Sequence, residues 1–493
     1  MEQKNSKISG SKSWCCKYNI IAVTLIAFGI SMLLFLPDYL QKQMNINLEL
    51  QPDSRTFPEW KKPTVPLYMD IYIFNWTNPE DINNHTTKPI VKQLGPYRFR
   101  EYPDKHNITF HDNNNTVTYR KSSLFYFEEN GSNGTLDDVV SVVNMLAVGA
   151  AATAQYWGFL RQLSVSTSLS GFGQKISVRK TVREILFEGY YDSMLTIGSM
   201  FDSEATLFDT VGFMVKKNGT DLLTGKYNVH TGVGDISKLG QIQKYRDLNE
   251  FPYYEGECRK LKGSPGEFYP PGRSSNDILY LFTPELCRAL PYEYKKDINH
   301  LGIKGNRYYL DDRAIDNGEK YSENSCYMTE SLPSGFINIS ACNFGQPLYM
   351  SYPHFYKADK SFLDAIDGLS PQKDLHESYI TLEPKTSVTL EAVGRLQTNL
   401  YLRPYGFINL FKNVPRLMLP LFFVEQKFIM GEEHASELYY GLLIFSVSKY
   451  IGVLLIIVGV AFIACRRCMQ CKSKQDNKND LEINEKEATA LMT

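Results

Sequence analysis

The sequence predicts an α+β membrane protein, in which two transmembrane helices flank one large extracytoplasmic domain rich in β-structure. Two long apolar runs lie near the ends of the chain, and basic residues stand on the terminal side of each run. Every N-glycosylation motif lies between the two runs. The 493 residues include 32 tyrosines and 28 phenylalanines, which suit a large β-rich body with an aromatic core.

The first apolar run covers residues 18–36 and carries no charged side chain. About 19 residues at about 1.5 Å each span roughly 28 Å, close to the apolar thickness of a bilayer. A cleaved signal peptide is the alternative, but its apolar region would be shorter, and Pro37 and Asp38 make a poor cleavage site. Residues 1–17 are then a cytoplasmic tail, because four lysines precede the run: Lys4, Lys7, Lys12 and Lys17.

The second apolar run covers residues 442–465. Basic residues follow it at once: Arg466, Arg467, Lys472 and Lys474. Residues 466–493 are therefore predicted to be a second cytoplasmic tail. Residues 37–441 form a single extracytoplasmic domain, because no internal repeat and no flexible linker divides them.

The candidate glycosylation sites support this topology. Any one N-x-Ser/Thr motif is weak evidence, but all of them fall between the spans and none falls in a tail. The acceptor asparagines are Asn75, Asn84, Asn107, Asn114, Asn130, Asn133, Asn218 and Asn338.

The 9 cysteines divide in the same way. An even set lies in the extracytoplasmic domain and suits two disulfides in an oxidising compartment: Cys258, Cys287, Cys326 and Cys342. The others lie next to the membrane on the cytoplasmic side: Cys15, Cys16, Cys465, Cys468 and Cys471. Palmitoylation is the favoured interpretation of these five, with unmodified thiols or a metal site as alternatives. A metal site would need a fourth ligand, and the C-terminal tail has none close by.

Local patterns predict a β-meander followed by a helix. Residues 67–77 alternate as a strand does, a turn is expected at 94–97, and residues 116–127 read as a further strand. Residues 139–154 are apolar nearly all round and predict one packed helix, too short for a third span. Residues 164–173 read as a Ser/Gly loop, and residues 175–187 as helical or mixed.

Chemistry-bearing motifs are scarce. The net charge of −1 gives no global attraction for nucleic acid, and no intact catalytic, metal-binding or cofactor-binding motif occurs, so the chain is not expected to be an enzyme. Lys175, Arg179 and Lys180 make a local basic patch and are the candidate ligand-binding residues. The alternative is that these three side chains form an ordinary solvated face.

The chain resembles the class B scavenger receptor family, the group of fatty-acid translocase, croquemort and the sensory neuron membrane proteins. The likeness covers nearly the whole chain. The motifs that carry it are Ile73-Phe74-Asn75 with Asn78-Pro79, Gln93-Leu94-Gly95-Pro96-Tyr97, Leu146-Ala147-Val148, Arg183-Glu184-Ile185-Leu186, Ser237-Lys238, Pro270-Pro271, Leu286-Cys287-Arg288, Pro353-His354-Phe355 and Asp367-Gly368-Leu369.

The resemblance implies an antiparallel β-barrel crossed by an apolar tunnel and capped by an apical helical bundle, to which residues 139–200 contribute. It also implies the disulfides Cys258–Cys326 and Cys287–Cys342. A third bridge of many members is missing, since Met328 stands near one of its cysteine positions. Apical lysines that mammalian relatives use for anionic ligands align with Ser170 and Phe172, which puts binding of anionic ligands or oxidised lipoproteins in doubt here but leaves lipid handling in general intact.

The expected function is that of a plasma-membrane scavenger receptor that binds lipids or lipid-bearing particles and mediates their uptake through the tunnel. Expected partners are fatty acids, sterols or phospholipids, lipoproteins, and the surfaces of apoptotic cells or microbes, with homo-oligomerisation left open. The alternative is an endolysosomal adhesion or trafficking receptor that binds a protein partner at the helical cap. Glu487 with Leu491-Met492 would then act as its sorting signal.

Overall fold

The computed structural model describes residues 2–195, 209–222, 224–327, 330 and 332–490. Its helices are α1 (Glu2–Leu48), α2 (Thr56–Lys61), α3 (Met145–Ala154), α4 (Phe159–Gly171), α5 (Lys360–Asp364), α6 (Lys373–His376) and α7 (Glu432–Ala490). Its strands are β1 (Leu67–Trp76), β2 (Val91–His111), β3 (Thr116–Glu128), β4 (Val139–Val143), β5 (Ser177–Thr181), β6 (Lys226–His230), β7 (Ile242–Tyr245), β8 (Leu279–Thr283), β9 (Arg288–His300), β10 (Ile303–Leu310), β11 (Ile337–Asn338), β12 (Leu348–Ser351), β13 (Tyr379–Leu382), β14 (Thr389–Leu402) and β15 (Leu417–Ile429).

The chain forms two compact units, one made of Met1–Ile46 with Glu433–Thr493 and the other of Asn47–Glu432. In the first unit, the segments Asn19–Leu48 and Glu432–Asn484 each contain an 18-residue stretch apolar enough to cross a membrane, with a mean hydropathy of 2.5 and 2.3 over that stretch. They overlap the two predicted spans. They are the candidate membrane spans of the protein.

Small residues let the two long helices approach each other closely. A Cβ atom built on Gly29 of α1 would lie 2.8 Å from the carbonyl oxygen of Gly452 in α7. A Cβ atom on Gly459 would meet the carbonyl oxygen of Ala22 at 2.9 Å. Helix pairs in lipid associate through such close backbone packing, because no hydrophobic effect drives them together there. The two helices of this unit therefore form a packed pair.

The second unit is built on a 13-stranded antiparallel sheet, with the order β7-β6-β3-β2-β1-β15-β14-β13-β10-β9-β8 along its main path. A short segment joins the two edge strands. The N–H of Ile242 in β7 donates to the carbonyl of Gly263 at 2.8 Å, and the N–H of Ser264 donates to the carbonyl of Tyr280 in β8 at 3.0 Å. The sheet is thus a nearly closed barrel, as the fold-class prediction required, and few strand edges are left unpaired.

The predicted strands of the meander are present, but the predicted turn at residues 94–97 is wrong. Strand β2 runs straight through this stretch, and its pairing with β1 shifts register between Ile71 and Ile73. Gly95 makes the shift feasible, because its φ is +101° and a Cβ atom there would lie 2.7 Å from the carbonyl oxygen of Ile71. The glycine that suggested a turn instead marks a β-bulge.

The helix predicted over residues 139–154 is also wrong in its first part. Residues Val139–Val143 form β4, which pairs with β5 in a separate two-stranded sheet, as the β-branched run of valines favours. The helix α3 begins only after Asn144, whose side chain caps it by accepting a hydrogen bond from the N–H of Ala147 at 3.1 Å. Residues 175–187 are a strand followed by one π-helical turn.

The loop predicted at residues 164–173 is a helix, α4. Serine and threonine usually disfavour a helix interior because their hydroxyls compete for backbone groups. Here the hydroxyls bond the helix's own carbonyls instead: Thr167 donates to Leu163 at 2.7 Å and Ser170 to Ser166 at 3.0 Å. Met328, the Leu491-Met492 signal and residues 196–200 of the predicted helical region lie outside the described residues.

Candidate ligand-binding site

The predicted cations Lys175, Arg179 and Lys180, which we call the basic strip, lie on β5 and just before it. Strand β5 pairs with β4 so that Arg179 stands opposite Ser141 and Lys180 opposite the buried Val140. Successive side chains of a strand point to opposite faces. The structure therefore separates Arg179 from Lys180, which the sequence analysis had placed in one patch.

Lys180 is already engaged within the fold. Its ammonium group lies 3.6 Å from the carboxylate of Glu184 and 4.7 Å from the ring centroid of Tyr190. Hydrogen bonds from Thr181, reinforced by the charge of Lys180, hold the pKa of the Glu184 carboxyl below its usual value. Lys175 and Arg179 are exposed. These two residues are therefore the members of the strip that a ligand can reach.

Helix α4, which precedes the basic strip in the sequence, carries a row of exposed apolar side chains. Phe159 is 57% exposed and Leu160 is 78% exposed, and Leu163 one turn later is 47% exposed. Phe407, 58% exposed, packs edge-on against Phe159 with ring centroids 5.4 Å apart. These four residues form the apolar ridge. Large apolar side chains gathered in this way are typical of an interaction surface.

The second unit has one small cavity beside β4 and one larger, polar cavity at the turn between β2 and β3. A cavity of about 10 Å³, with room for about one water molecule, lies beneath β4. It is lined by Val142, Val143, Met145, Ile185, Tyr190, Val211, Gly212 and Phe213. A second, open cavity of about 230 Å³ is lined by polar groups that include Asn114, itself a candidate glycosylation site. Neither suits an acyl chain, so the tunnel remains an expectation drawn from the resemblance.

Two disulfides tie together the β8–β12 side of the second unit. The structure joins Cys258 to Cys326 and Cys287 to Cys342, each with Cα atoms 6.0 Å apart. These are the pairings that the resemblance implies. The loops that they close span 68 and 55 residues of sequence. On a chain-entropy model, each bond limits the unfolded chain enough to stabilise the fold by about 4 kcal/mol.

The candidate glycosylation sites differ in their accessibility. Asn75 lies within β1, is half-buried, and its Oδ1 accepts a hydrogen bond from the N–H of Ser141 at 2.8 Å. Asn338 is half-buried too. The remaining acceptors are exposed: Asn84, Asn107, Asn114, Asn130, Asn133 and Asn218. Asn75 is therefore expected to be the poorest acceptor of the set. The sequence motif alone does not reveal this difference.

The membrane-proximal cysteines lie on the long helices. Cys465, Cys468 and Cys471 are free and exposed on α7, and Cys15 and Cys16 lie within α1. Their palmitoylation remains a prediction. Among the residues that the structure describes, no group of three or more His, Cys, Asp or Glu side chains is arranged to hold a metal ion.

The sequence analysis missed a buried histidine pair. The rings of His354 and His376 stack with centroids 4.7 Å apart. The N–H of Ser370 donates to Nδ1 of His354 at 3.1 Å, and the N–H of Gln372 donates to Nδ1 of His376 at 2.9 Å. Burial lowers the pKa of each imidazole to about 4, and for His376 the charges of His354 and Arg395 add to the effect. Both rings are therefore neutral at pH 7.

Comparison with known proteins places the chain in a family. The family model described as CD36 family matches residues 20–469. Protein peste of Drosophila melanogaster is 38% identical over 429 residues, which cover 86% of this chain and 77% of that protein. Scavenger receptor class B member 1 of Rattus norvegicus is 30% identical over 85% of this chain and 82% of its own length. Lysosome membrane protein 2 of Mus musculus is 30% identical, over 86% and 88% respectively. With this match over most of its length, and with the barrel between two apolar helices, the chain belongs to the CD36 family.

Proposed function

We propose that this protein is a receptor that captures lipids or lipid-bearing particles and mediates their uptake through its β-rich domain. Similarity to a protein named as a class B scavenger receptor supports this function. One observation carries the proposal: the exposed apolar residues of α4, Phe159, Leu160 and Leu163, are followed along the chain by the exposed cations Lys175 and Arg179. Apolar side chains can enter a lipid surface while the cations meet its anionic head groups.

The energetics need no catalytic group. Moving an acyl chain out of water contributes about 0.8 kcal/mol for each CH₂, so a sixteen-carbon chain has roughly 12 kcal/mol available before losses. A receptor function is therefore favoured over an enzyme. The tunnel implied by the resemblance would shield the acyl chain from water and so make this free energy available for binding.

The proposed location is the plasma membrane, with both termini in the cytoplasm. Lysines before the first span and basic residues after the second support this orientation. It leaves the disulfides and the exposed asparagines outside the cytoplasm, where such bonds persist and such asparagines are modified.

Uptake measured in cells tests the proposal. Lys175→Glu with Arg179→Glu reverses two exposed charges, and we expect uptake of a fluorescent fatty acid and of anionic vesicles to fall several-fold at equal surface expression. Lys92→Glu with Lys412→Glu is the matched control, because both lysines are exposed and the net charge changes equally. Equal uptake by wild type and by the Lys175/Arg179 variant would show that the basic strip is an ordinary solvated face and does not bind the ligand.

A second candidate is an endolysosomal receptor that binds a protein partner at the α3–α4 region. The apolar ridge favours it, since a ridge of this kind fits a protein groove as well as a lipid surface. Similarity to a lysosome membrane protein supports the location. Replacing Leu491-Met492 by alanines separates the candidates. A large rise in surface level would favour the endolysosomal receptor, and an unchanged surface level would favour the lipid receptor.

A further inference from the structure

The turn between β2 and β3 and the loop between β6 and β7 enclose the open, polar cavity of about 230 Å³. The turn contributes Asn114 and Asn115, and strand β6 contributes His230. The loop contributes the remaining lining residues, which are Gly232, Val233, Gly234, Asp235 and Lys238. Clefts that hold drug-sized ligands are larger, roughly 300–1,000 Å³, so this cavity has the size for a single small ring.

Hydrogen bonds hold the two walls of the cavity together. The carbonyl of Asn115 accepts hydrogen bonds from the N–H and from the hydroxyl of Thr231, each at 3.0 Å. Gly234 closes against the same asparagine, since its φ is +76° and a Cβ atom there would lie 3.3 Å from Nδ2 of Asn115. Thr231 is buried, and its carbonyl accepts a hydrogen bond from the N–H of Leu50 at 2.9 Å. The cavity is therefore a fixed feature of the second unit.

The side-chain amide of Asn114 is held at both ends. Its Oδ1 accepts a hydrogen bond from the hydroxyl of Thr116 at 2.8 Å, and that hydroxyl in turn accepts one from Nδ2 of the buried Asn228 at 3.0 Å. Its Nδ2 donates to Oε1 of Gln243 on β7 at 3.4 Å. One amide proton is used in this way, and the other is left for a bond to a sugar. The nitrogen that would carry a glycan thus lies beside the β6–β7 hairpin, whose loop lines the cavity.

The described lining residues carry no net charge at pH 7. The ammonium group of Lys238 lies 3.2 Å from the carboxylate of Asp235. Burial lowers the pKa of His230, and the charge of Lys238 adds to that shift, so the imidazole is neutral at pH 7. An ionic ligand would find its counter-charge already paired. A neutral molecule with hydroxyl and amide groups suits these side chains better, because they offer it both hydrogen-bond donors and acceptors.

The innermost sugar of an N-linked glycan has this chemistry. N-acetylglucosamine is one neutral ring with hydroxyls and an acetamide group, and Val233 supplies an apolar side chain for its methyl group to contact. Because residues 114–116 form a glycosylation motif, the sugar would be bonded to an atom of the cavity wall. Covalent attachment gives it a high effective concentration and removes much of the entropy cost of association.

We propose that the cavity holds the first N-acetylglucosamine of a glycan on Asn114. This sugar then links the β2–β3 turn to the β6–β7 loop and is part of the folded domain. The inference rests on the proposed orientation of the chain, which places Asn114 outside the cytoplasm, and it is independent of lipid binding.

A glycosidase time course on the folded protein, read by glycopeptide mapping, tests the proposal. Full-length protein from glycosylating cells is treated in mild detergent with an amidase that cleaves the bond between asparagine and the first sugar. The enzyme must reach that bond, so we expect the glycan on Asn114 to be released about tenfold more slowly than the glycan on the exposed Asn84. After denaturation the two rates should be equal. Equal rates in the folded protein overturn the proposal.

Val233→Trp distinguishes protection by the cavity from protection by the surrounding fold. The larger side chain occupies the space of the sugar and leaves the motif at Asn114 unchanged, so release from Asn114 should rise to the rate at Asn84. Val139→Trp, at an exposed valine of β4, is the control and should keep both wild-type rates. Slow release from Asn114 that persists in Val233→Trp overturns the proposal.

Wild-type protein decides the matter if Val233→Trp does not fold. Removal of all glycans should increase the amide hydrogen exchange of residues 231–238 and leave that of residues 80–87, around Asn84, unchanged. Unchanged exchange at residues 231–238 overturns the proposal. An Asn114 without a glycan, in a protein that is glycosylated at Asn84, also overturns it and leaves the proposed orientation intact. A protein without any glycan contradicts the proposed orientation, and this inference fails with it.

Discussion

Lys175 in the basic strip and Lys105 on β2 are residues of the same type in two opposite environments. Lys175 and Arg179 stand in water, where a charge is well solvated and contributes little to folding. Lys105 is enclosed, and its charge needs both Glu267 and a backbone carbonyl. An exposed cation can therefore be replaced with little change in the free energy of unfolding, and it is available for the first contact with a ligand. An enclosed cation is costly to the fold and therefore requires a partner or a ligand.

The largest expected effect concerns the enclosed histidine pair. Folding holds the pKa of His354 and of His376 at about 4, against an unfolded value of about 6.5. The unfolded chain therefore binds more protons between these values. The stabilisation is complete above pH 6.5 and is lost as the pH falls toward 4. At pH 4.5 the loss is about 2.5 kcal/mol for each histidine.

Denaturant unfolding of the full-length protein at pH 7 and pH 4.5 checks this expectation. The variant His354→Gln with His376→Gln removes both titrating groups and should lose less stability on acidification than wild type does. His85, which is exposed, provides the control in His85→Gln. An identical pH dependence in wild type and in the double variant would contradict the assignment.

The next effect is the loss of an enclosed charge. Lys105→Met leaves the half-buried Glu267 without the cation 3.5 Å away, and breaking a pair whose lysine is enclosed costs about 3 kcal/mol. Lys175→Met removes an exposed lysine and should change the unfolding free energy by no more than about 0.5 kcal/mol. Unfolding midpoints of the two variants measure the contrast directly. Similar midpoints would show that the two environments do not differ as described.

A smaller effect is expected for the whole basic strip. Lys175→Glu with Arg179→Glu should leave the unfolding free energy within about 0.5 kcal/mol of wild type, because both side chains are exposed. The same change in Lys180 should cost slightly more, since Lys180 contacts Glu184 and Tyr190. A thermal shift of several degrees for the Lys175/Arg179 variant would mean that the strip has a structural role.

The smallest expected effect on stability concerns two asparagines, one exposed and one half-buried. Asn84→Gln should lower the mass by one glycan and leave folding unchanged, because Asn84 is exposed. Asn75→Gln should leave the glycan mass unchanged, because Asn75 is half-buried and bonded to Ser141. Gel mobility before and after glycosidase treatment distinguishes the two. A glycan lost with Asn75→Gln would show that this side chain is reached before β1 pairs.

The sheet was the more predictable part of the molecule. Strands β1 and β3 are rich in β-branched and aromatic residues, so their positions could be predicted from the sequence. The α3–α4 region was harder. The valines of β4 run directly into the small residues of α3, and no polar face marks where the strand ends and the helix begins. The start of α3 is set by the side-chain cap of Asn144. Helix α4 depends on serine and threonine bonds that a sequence pattern does not reveal.

The candidate functional residues, too, could be predicted only in part from the sequence. The basic strip could be found as a local charge run, but its splitting across β5 required the register with β4. The enclosed Lys105 was not predicted, because its partners Trp60 and Glu267 are distant from it in the sequence. The contribution of Glu267 came from a distant loop and could not be read from the chain.

Photolabelling with a sixteen-carbon fatty acid that carries a diazirine tests most directly whether the second unit holds lipid. The full-length wild-type protein is labelled with and without excess palmitate, and the labelled peptides are mapped by mass spectrometry. We expect palmitate-sensitive label within Asn47–Glu432. Label confined to the helices α1 and α7, or label that palmitate does not displace, would contradict it.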